Sequence, residues 1–174
     1  MTKRLILIRH AKSSWDNAFA DDHERVLNPR GRAAATAIGN WLGTEGHVPQ
    51  AILCSDAART QETAERIIST LPAQPKLELT AMLYHAAPDT VIDLVRKAQT
   101  DTIAVIGHNP GIGMAADMLV DTRPLHHRFD DYPTCATTVI DFAIDDWQDM
   151  QKQGGDCVAF VVPRDLVGAG GDID

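Results

Sequence analysis

Short apolar runs rich in β-branched residues recur along this chain, and segments with helical spacing fill the intervals between them. Residues 5–8 (Leu-Ile-Leu-Ile), 51–55 (Ala-Ile-Leu-Cys-Ser) and 102–106 (Thr-Ile-Ala-Val-Ile) read as buried strands. They are too short for helices and lack the alternation of a half-solvated strand. A weaker strand is expected at 76–79, and 136–142 with 157–162 read as a hairpin-like pair. Asn28 and Pro29 form a favoured cap and first helical residue, and Ala34, Ile38, Trp41 and Leu42 repeat on one face up to Gly43 and Gly46. Ser55 or Asp56 is the expected cap of a second helix carrying Ala64, Ile67, Ile68 and Leu71, stopped by Pro72 and Pro75. Pro88 opens a third helix with Val91, Leu94, Val95 and Ala98 on one face. Asn109-Pro110 repeats the cap arrangement for a helix over 110–120. Alternation of this kind predicts an α/β fold, a three-layer α/β/α sandwich with a mostly parallel sheet, whose late strands are free to run antiparallel.

At 174 residues the chain fits one domain. The expected boundaries are 1–163 for the domain and 164–174 for a flexible tail, whose end is rich in Gly and Asp. The net charge of −8 gives no broad footprint for nucleic acid or an anionic membrane, so phosphate handling would need positive charge concentrated locally. Cys54, Cys135 and Cys157 have neither zinc nor disulfide spacing and read as buried or half-buried thiols. The five-residue apolar stretch near the N-terminus is too short for an export signal or a membrane span, which makes the cytoplasm the expected compartment.

The residues just past the buried strands carry the chemistry. Arg9 and His10 follow the first, Ser55-Asp56-Ala-Ala-Arg59 the second, and Gly107-His108-Asn109-Pro110-Gly111 the strand at 102–106. Open α/β sheets place their sites beyond the carboxyl ends of the strands, so these segments predict one pocket with two arginines, two histidines and a helix N-terminus. Each part suits phosphate. Guanidinium groups match its oxygens and stay charged, helix N-termini offer N–H groups, and a neutral imidazole can attack phosphorus. Neighbouring arginines would oppose protonation of His10. Each piece alone also has a plainer reading: Arg9-His10 as a surface dipeptide, Arg59 as a surface ion-pair partner, and the Gly107 segment as a tight turn. That segment lacks the ending of a P-loop.

The segment Leu7-Ile8-Arg9-His10-Ala11-Lys12 resembles the signature of the histidine phosphatase superfamily, the phosphoglycerate mutase-like or RHG group, with Ala11 where Gly is usual. Ser55-x-x-x-Arg59-Thr60-x-x-Thr63-Ala64 resembles its second arginine motif, and Gly107-His108-Asn109-Pro110-Gly111 its second histidine motif. The pattern through Trp15, Asp22 to Leu27 and Arg30-Gly31 is similar to the short SixA-type phosphohistidine phosphatases. The resemblance implies a phosphoglycerate mutase-like fold and a hydrolase with no cofactor and no metal. His10 would be the nucleophile, Arg9 and Arg59 would clamp the phosphoryl oxygens, and His108 would donate to one of them. All four would form the phosphate-binding site. The implied substrate is a phosphorylated protein carrying phosphohistidine. A small phosphorylated molecule, handled by a phosphomonoesterase or a phosphomutase, and a non-catalytic phosphate-binding module remain alternatives.

Larger members of the family carry a glutamate after the third strand as general acid. The corresponding stretch here, Leu79 to Ala86, contains no carboxylate. Asp16, Asp21, Asp22 and His85 stand as candidate acids, with a solvated loop as the plainer role of each aspartate. Trp15 is placed either over the pocket or in packing, and Lys12 either on phosphate or in solvent. His126 and His127 read as a surface loop, and His23 and His47 as exposed.

Overall fold

The computed structural model describes residues 1–167. Six strands form one sheet: β1 (Lys3–Arg9), β2 (Ala51–Ser55), β3 (Lys76–Thr80), β4 (Thr102–Gly107), β5 (Thr137–Phe142) and β6 (Asp156–Val161). Their order is β3-β2-β4-β1-β5-β6. The first four run parallel, and β5 is antiparallel to both β1 and β6, as the late strands were free to be. The helices are α1 (Pro29–Thr44), α2 (Ala58–Ile68), α3 (Pro88–Val95), α4 (Gly111–Leu119) and a short α5 (Pro163–Val167).

The strict alternation of side chains along β1 builds both halves of the core. Leu5 and Leu7 join Val91, Ile92 and Val95 of α3 and Ile112, Ala115 and Leu119 of α4 on one face. Ile6 and Ile8 join Ala34, Ile38 and Leu42 of α1 and Ala64 and Ile67 of α2 on the other. Because β1 and β4 are apolar on both sides, helices must cover both faces, and the three-layer sandwich results. The first turn of α1 sits directly on the loop after β1. A Cβ at Gly31 would lie 2.1 Å from the Lys12 carbonyl oxygen, so only glycine permits this approach.

Local differences from the sequence reading have physical causes. Neither Ser55 nor Asp56 caps α2. Its N-cap is Ala57, and the Ser55 hydroxyl is engaged by His108 instead. Pro110 is the N-cap of α4 rather than its first residue, and the Asn109 Oδ1 accepts from the Gly113 N–H. His47 is buried, not exposed: its Nδ1 lies 2.9 Å from Arg4 Nη1 and its ring packs on Trp41. His23 is half-exposed, its Nε2 2.8 Å from the Asp56 carboxylate. The His126 and His127 rings stack nearly parallel in the expected loop, and His126 Nε2 pairs with Asp165 of α5. Residues 164–167 of the expected tail lie in α5, whose Leu166 packs against the core, and residues 168–174 lie outside the described residues. Cys54 and Cys135 are buried and Cys157 half-buried, all as free thiols. No helix among the described residues is long and apolar enough to cross a membrane.

Candidate active site

The carboxyl ends of β1, β2 and β4 converge on a cavity of about 350 Å³. Arg9, His10, Arg59 and His108 all line it, as the strand ends predict. Register explains the gathering. Arg9 pairs with Gly107 across the β1–β4 ladder, so residues 10 and 108 emerge side by side, and their ring centroids are 5.3 Å apart. Arg59 arrives on the first turn of α2 and is 3% exposed.

The His10 ring is positioned by its own backbone. Nδ1 lies 2.7 Å from the Ala11 carbonyl, an acceptor only, so Nδ1 carries the proton and donates it there. Nε2 is left with its lone pair. Burial above all, with the Arg9 and Arg59 charges and the neighbouring His108 ring, pushes the His10 pKa down to about 3. The backbone amide of Ala11 donates to Thr63 Oγ1 on α2, which anchors the turn between strand and helix.

His108 is neutral for similar reasons. Burial and then the Arg59 charge lower its pKa to about 3. Its Nδ1 is 3.3 Å from Arg59 Nη2 and must accept, because arginine only donates. The ring proton is therefore on Nε2, which donates to Ser55 Oγ at 2.8 Å. A donor role toward a phosphoryl oxygen would require this ring to release Ser55 or take up a second proton. In phosphate-free buffer, ¹⁵N chemical shifts are expected to show opposite tautomers, Nδ1–H for His10 and Nε2–H for His108. Both rings should stay neutral from pH 8 down to pH 5. An imidazolium signal from either ring at pH 6 would contradict the neutrality that burial imposes.

The cations are not balanced within the cavity wall. Arg9 donates to the Tyr132 carbonyl through Nη1, and Arg59 reaches the Asp22 carbonyl at 2.7 Å and Asp22 Oδ2 at 3.1 Å. The Nε groups of Arg9, Arg59 and Arg25 are buried without an acceptor among the described residues. Burial and the nearby Arg59 charge lower the Arg9 pKa. Crowded guanidinium groups with unused N–H donors are complementary to a tetrahedral oxyanion.

Arg25 escaped the residue-by-residue reading. It is a single cation inside a long irregular loop, with no spacing to mark it. The structure brings it to the cavity, where its guanidinium lies 3.7 Å from the Trp15 ring centroid and donates to Ser13 Oγ. Trp15 is at the cavity rim, 76% exposed, rather than packed in the core. Lys12 also lines the cavity.

The candidate acids separate. Asp16 and Asp21 are exposed and do not line the cavity. Asp22, on a short 3-10 turn, holds Arg59, accepts from the Tyr84 hydroxyl at 2.5 Å and lies 3.3 Å from His85 Nε2. The Tyr84 hydrogen bond first, then Arg59, lowers its pKa to about 2, so it carries no proton to give near neutrality. His85 lines the cavity.

Comparison with known proteins agrees with this geometry. Residues 5–83 match the model of the histidine phosphatase superfamily (branch 1), a span that holds Arg9, His10 and Arg59 but not His108. An uncharacterized protein of Mycobacterium leprae is 32% identical over 166 residues, covering 90% of this chain and all of the relative. Among solved structures, SixA of Nakamurella multipartitia, a candidate phosphohistidine phosphatase, superposes with a TM-score of 0.75 at 27% identity, covering 94% of this chain and 97% of that one. A second SixA, from Agrobacterium tumefaciens, has a TM-score of 0.77 at 24% identity over 92% of this chain and 99% of its own, a likeness of fold. The chain belongs to the histidine phosphatase superfamily, in its SixA-like branch.

Proposed function

We propose that this protein is a metal-independent phosphatase in which His10 Nε2 accepts the phosphoryl group, and that its substrate is phosphohistidine on a protein. The observation that carries this reading is the orientation of His10. Its Nδ1–H is committed to the Ala11 carbonyl, so a neutral imidazole lone pair remains on Nε2 in a cavity lined by Arg9 and Arg59.

Phosphoryl transfer demands alignment of the attacking and leaving atoms and stabilisation of charge on the equatorial oxygens. Arg9 and Arg59 supply that charge, Arg59 from a buried position and Arg9 from a half-buried one, where a hydrogen bond to an anion is strong. His108 holds Arg59 through Nδ1 and so positions that guanidinium beside His10. Water then attacks the phosphorus of the His10 adduct, and phosphate leaves.

Two features support a protein substrate. The SixA relative of known structure is a candidate phosphohistidine phosphatase. The cavity opens at a rim that bears the exposed Trp15 ring, a contact surface for a partner chain. A second reading, a small phosphorylated molecule as substrate, is favoured by Lys12 and Arg25, which add positive charge around the cavity beyond the phosphoryl clamp.

The test is phosphate release in the presence of EDTA from a phosphohistidine protein, an aryl phosphate, and a panel of phosphorylated sugars and glycerates. EDTA-resistant turnover with the highest kcat/KM on phosphohistidine is expected. Preference for a panel member would move the substrate to the small-molecule class. Phosphate binding without turnover of anything would leave a binding module.

A further inference from the structure

Burial above all keeps the His10 and His108 rings neutral, and a guanidinium does not give up its proton. His85 differs from them in every respect that bears on proton transfer. It follows a 3-10 turn at Ala81–Leu83, lines the same cavity, and keeps more than half of its side chain open to solvent. Its ring centroid lies 5.6 Å from that of His108, which places His108 about equally far from His10 and from His85.

Behind the ring stands a carboxylate. His85 Nε2 lies 3.3 Å from Asp22 Oδ2, and Asp22 is itself fixed by Arg59 and the Tyr84 hydroxyl. The Tyr84 ring packs on His85 with centroids 4.0 Å apart. A carboxylate against one imidazole nitrogen orients the ring and leaves the other nitrogen, Nδ1, as the second proton site.

The backbone is also set for this placement. His85 has φ +53°, the left-handed region that a bulky residue rarely adopts. Next to it, the Ala86 carbonyl rests on Gly111 at the start of α4, where a Cβ would come within 1.9 Å. The segment is thus pinned to the helix that follows His108. Unfavourable backbone conformations held by their surroundings cluster at functional sites.

We propose that His85, backed by the Asp22 carboxylate, is the proton donor to the leaving group and the base toward the hydrolytic water; this rests on His10 as the phosphoryl acceptor. In the first step a bond forms between His10 Nε2 and phosphorus as the bond from phosphorus to the leaving oxygen or nitrogen breaks. The electron pair stays on the leaving atom, which takes a proton from the His85 imidazolium. In the second step water attacks phosphorus, the bond to Nε2 breaks with its electron pair returning to His10, and His85 takes the water proton. The cycle restores the imidazolium and releases phosphate.

The test compares wild type with His85→Asn on a series of substituted phenyl phosphates and an alkyl phosphate. Asparagine tolerates the left-handed backbone but cannot carry the proton. A shallow dependence of kcat/KM on leaving-group basicity is expected in wild type and a steep one in the variant. The alkyl-to-nitrophenyl ratio of kcat/KM should fall about 100-fold. The charged and titratable groups facing His85, namely Asp22, Tyr84, His108 and, through Asp22, Arg59, are the same in both proteins. Equal slopes in the two proteins, or a steep slope in wild type, would overturn the proposal. Circular dichroism checks the fold, and His85→Gln carries the same comparison if His85→Asn does not fold. Turnover surviving in His10→Ala would instead remove the reading of His10 on which the proposal rests.

Discussion

His10→Ala is expected to lose phosphate release from every substrate by about 10⁴-fold or more. The magnitude follows from what the ring does. A hydrogen bond from Nδ1 leaves the lone pair of its neutral ring on Nε2. Lowering its pKa to about 3 costs nothing in nucleophilic population near neutrality, because the proposed attack needs the neutral form. Removing it leaves the clamp intact, so the variant should still bind phosphate or tungstate-like oxyanions with an affinity close to that of wild type. Rapid acid-free quenching of wild type with a phosphorylated substrate should trap an acid-labile phosphoryl group on the protein, and the variant should trap none. A variant that still turns over, or a wild type in which the label sits on another residue, would remove the covalent mechanism. The fold should survive, since His10's main-chain bonds to Gly107 and Cys135 do not involve the ring.

Arg59→Ala is expected to lower kcat/KM by about 10³-fold, at the upper end for loss of one preorganised donor group. Beyond the clamping role proposed for it, Arg59 ties together its neighbours. One side chain holds the Asp22 carbonyl, the Asp22 carboxylate and His108 Nδ1. Its loss leaves His108 free to rotate and Asp22 facing Tyr84 and His85 without its cation. Arg59→Lys should recover little, because a single ammonium cannot reach three acceptors spread across a planar fork. Urea denaturation should show a stability loss of about 2 kcal/mol from the charged hydrogen bonds removed. A rate loss confined to KM, with kcat unchanged, would mean that Arg59 binds ground state and transition state alike and would contradict a clamp on the transferring group.

Much of this architecture was legible because apolar periodicity is a local property. Leu5 to Ile8 must be buried on both faces, and Asn28-Pro29 starts a helix wherever it docks. The four strand-end residues, Arg9, His10, Arg59 and His108, could be placed together from topology alone, because parallel strands point their carboxyl ends the same way. What escaped depended on pairing across the chain. Asp22 and Tyr84 meet 62 positions apart, and no spacing rule links a loop aspartate to a tyrosine past the third strand. His47 looked solvated, since nothing local shows that Arg4 waits for it on β1. Ser55 fits a helix cap by type, and only the arrival of His108 from another strand redirects its hydroxyl. The arginines near His10 were foreseen as the cause of its neutrality, yet burial is the larger cause. Burial of a strand-end side chain depends on how the loops close over it.

The bond between Asp22 and Arg59 bears on how the catalytic cycle ends. A guanidinium 3% exposed is costly to leave bare, which on its own would make departing phosphate linger. Asp22 is a covalently tethered anion already within reach of that guanidinium, so it competes with inorganic phosphate at an effective concentration far above that of free phosphate in solution. With Arg59 as the proposed clamp, each turnover would close on an exchange of anions rather than on the exposure of a naked cation. The enzyme is built to let go of its product, and it should resist inhibition by accumulated phosphate.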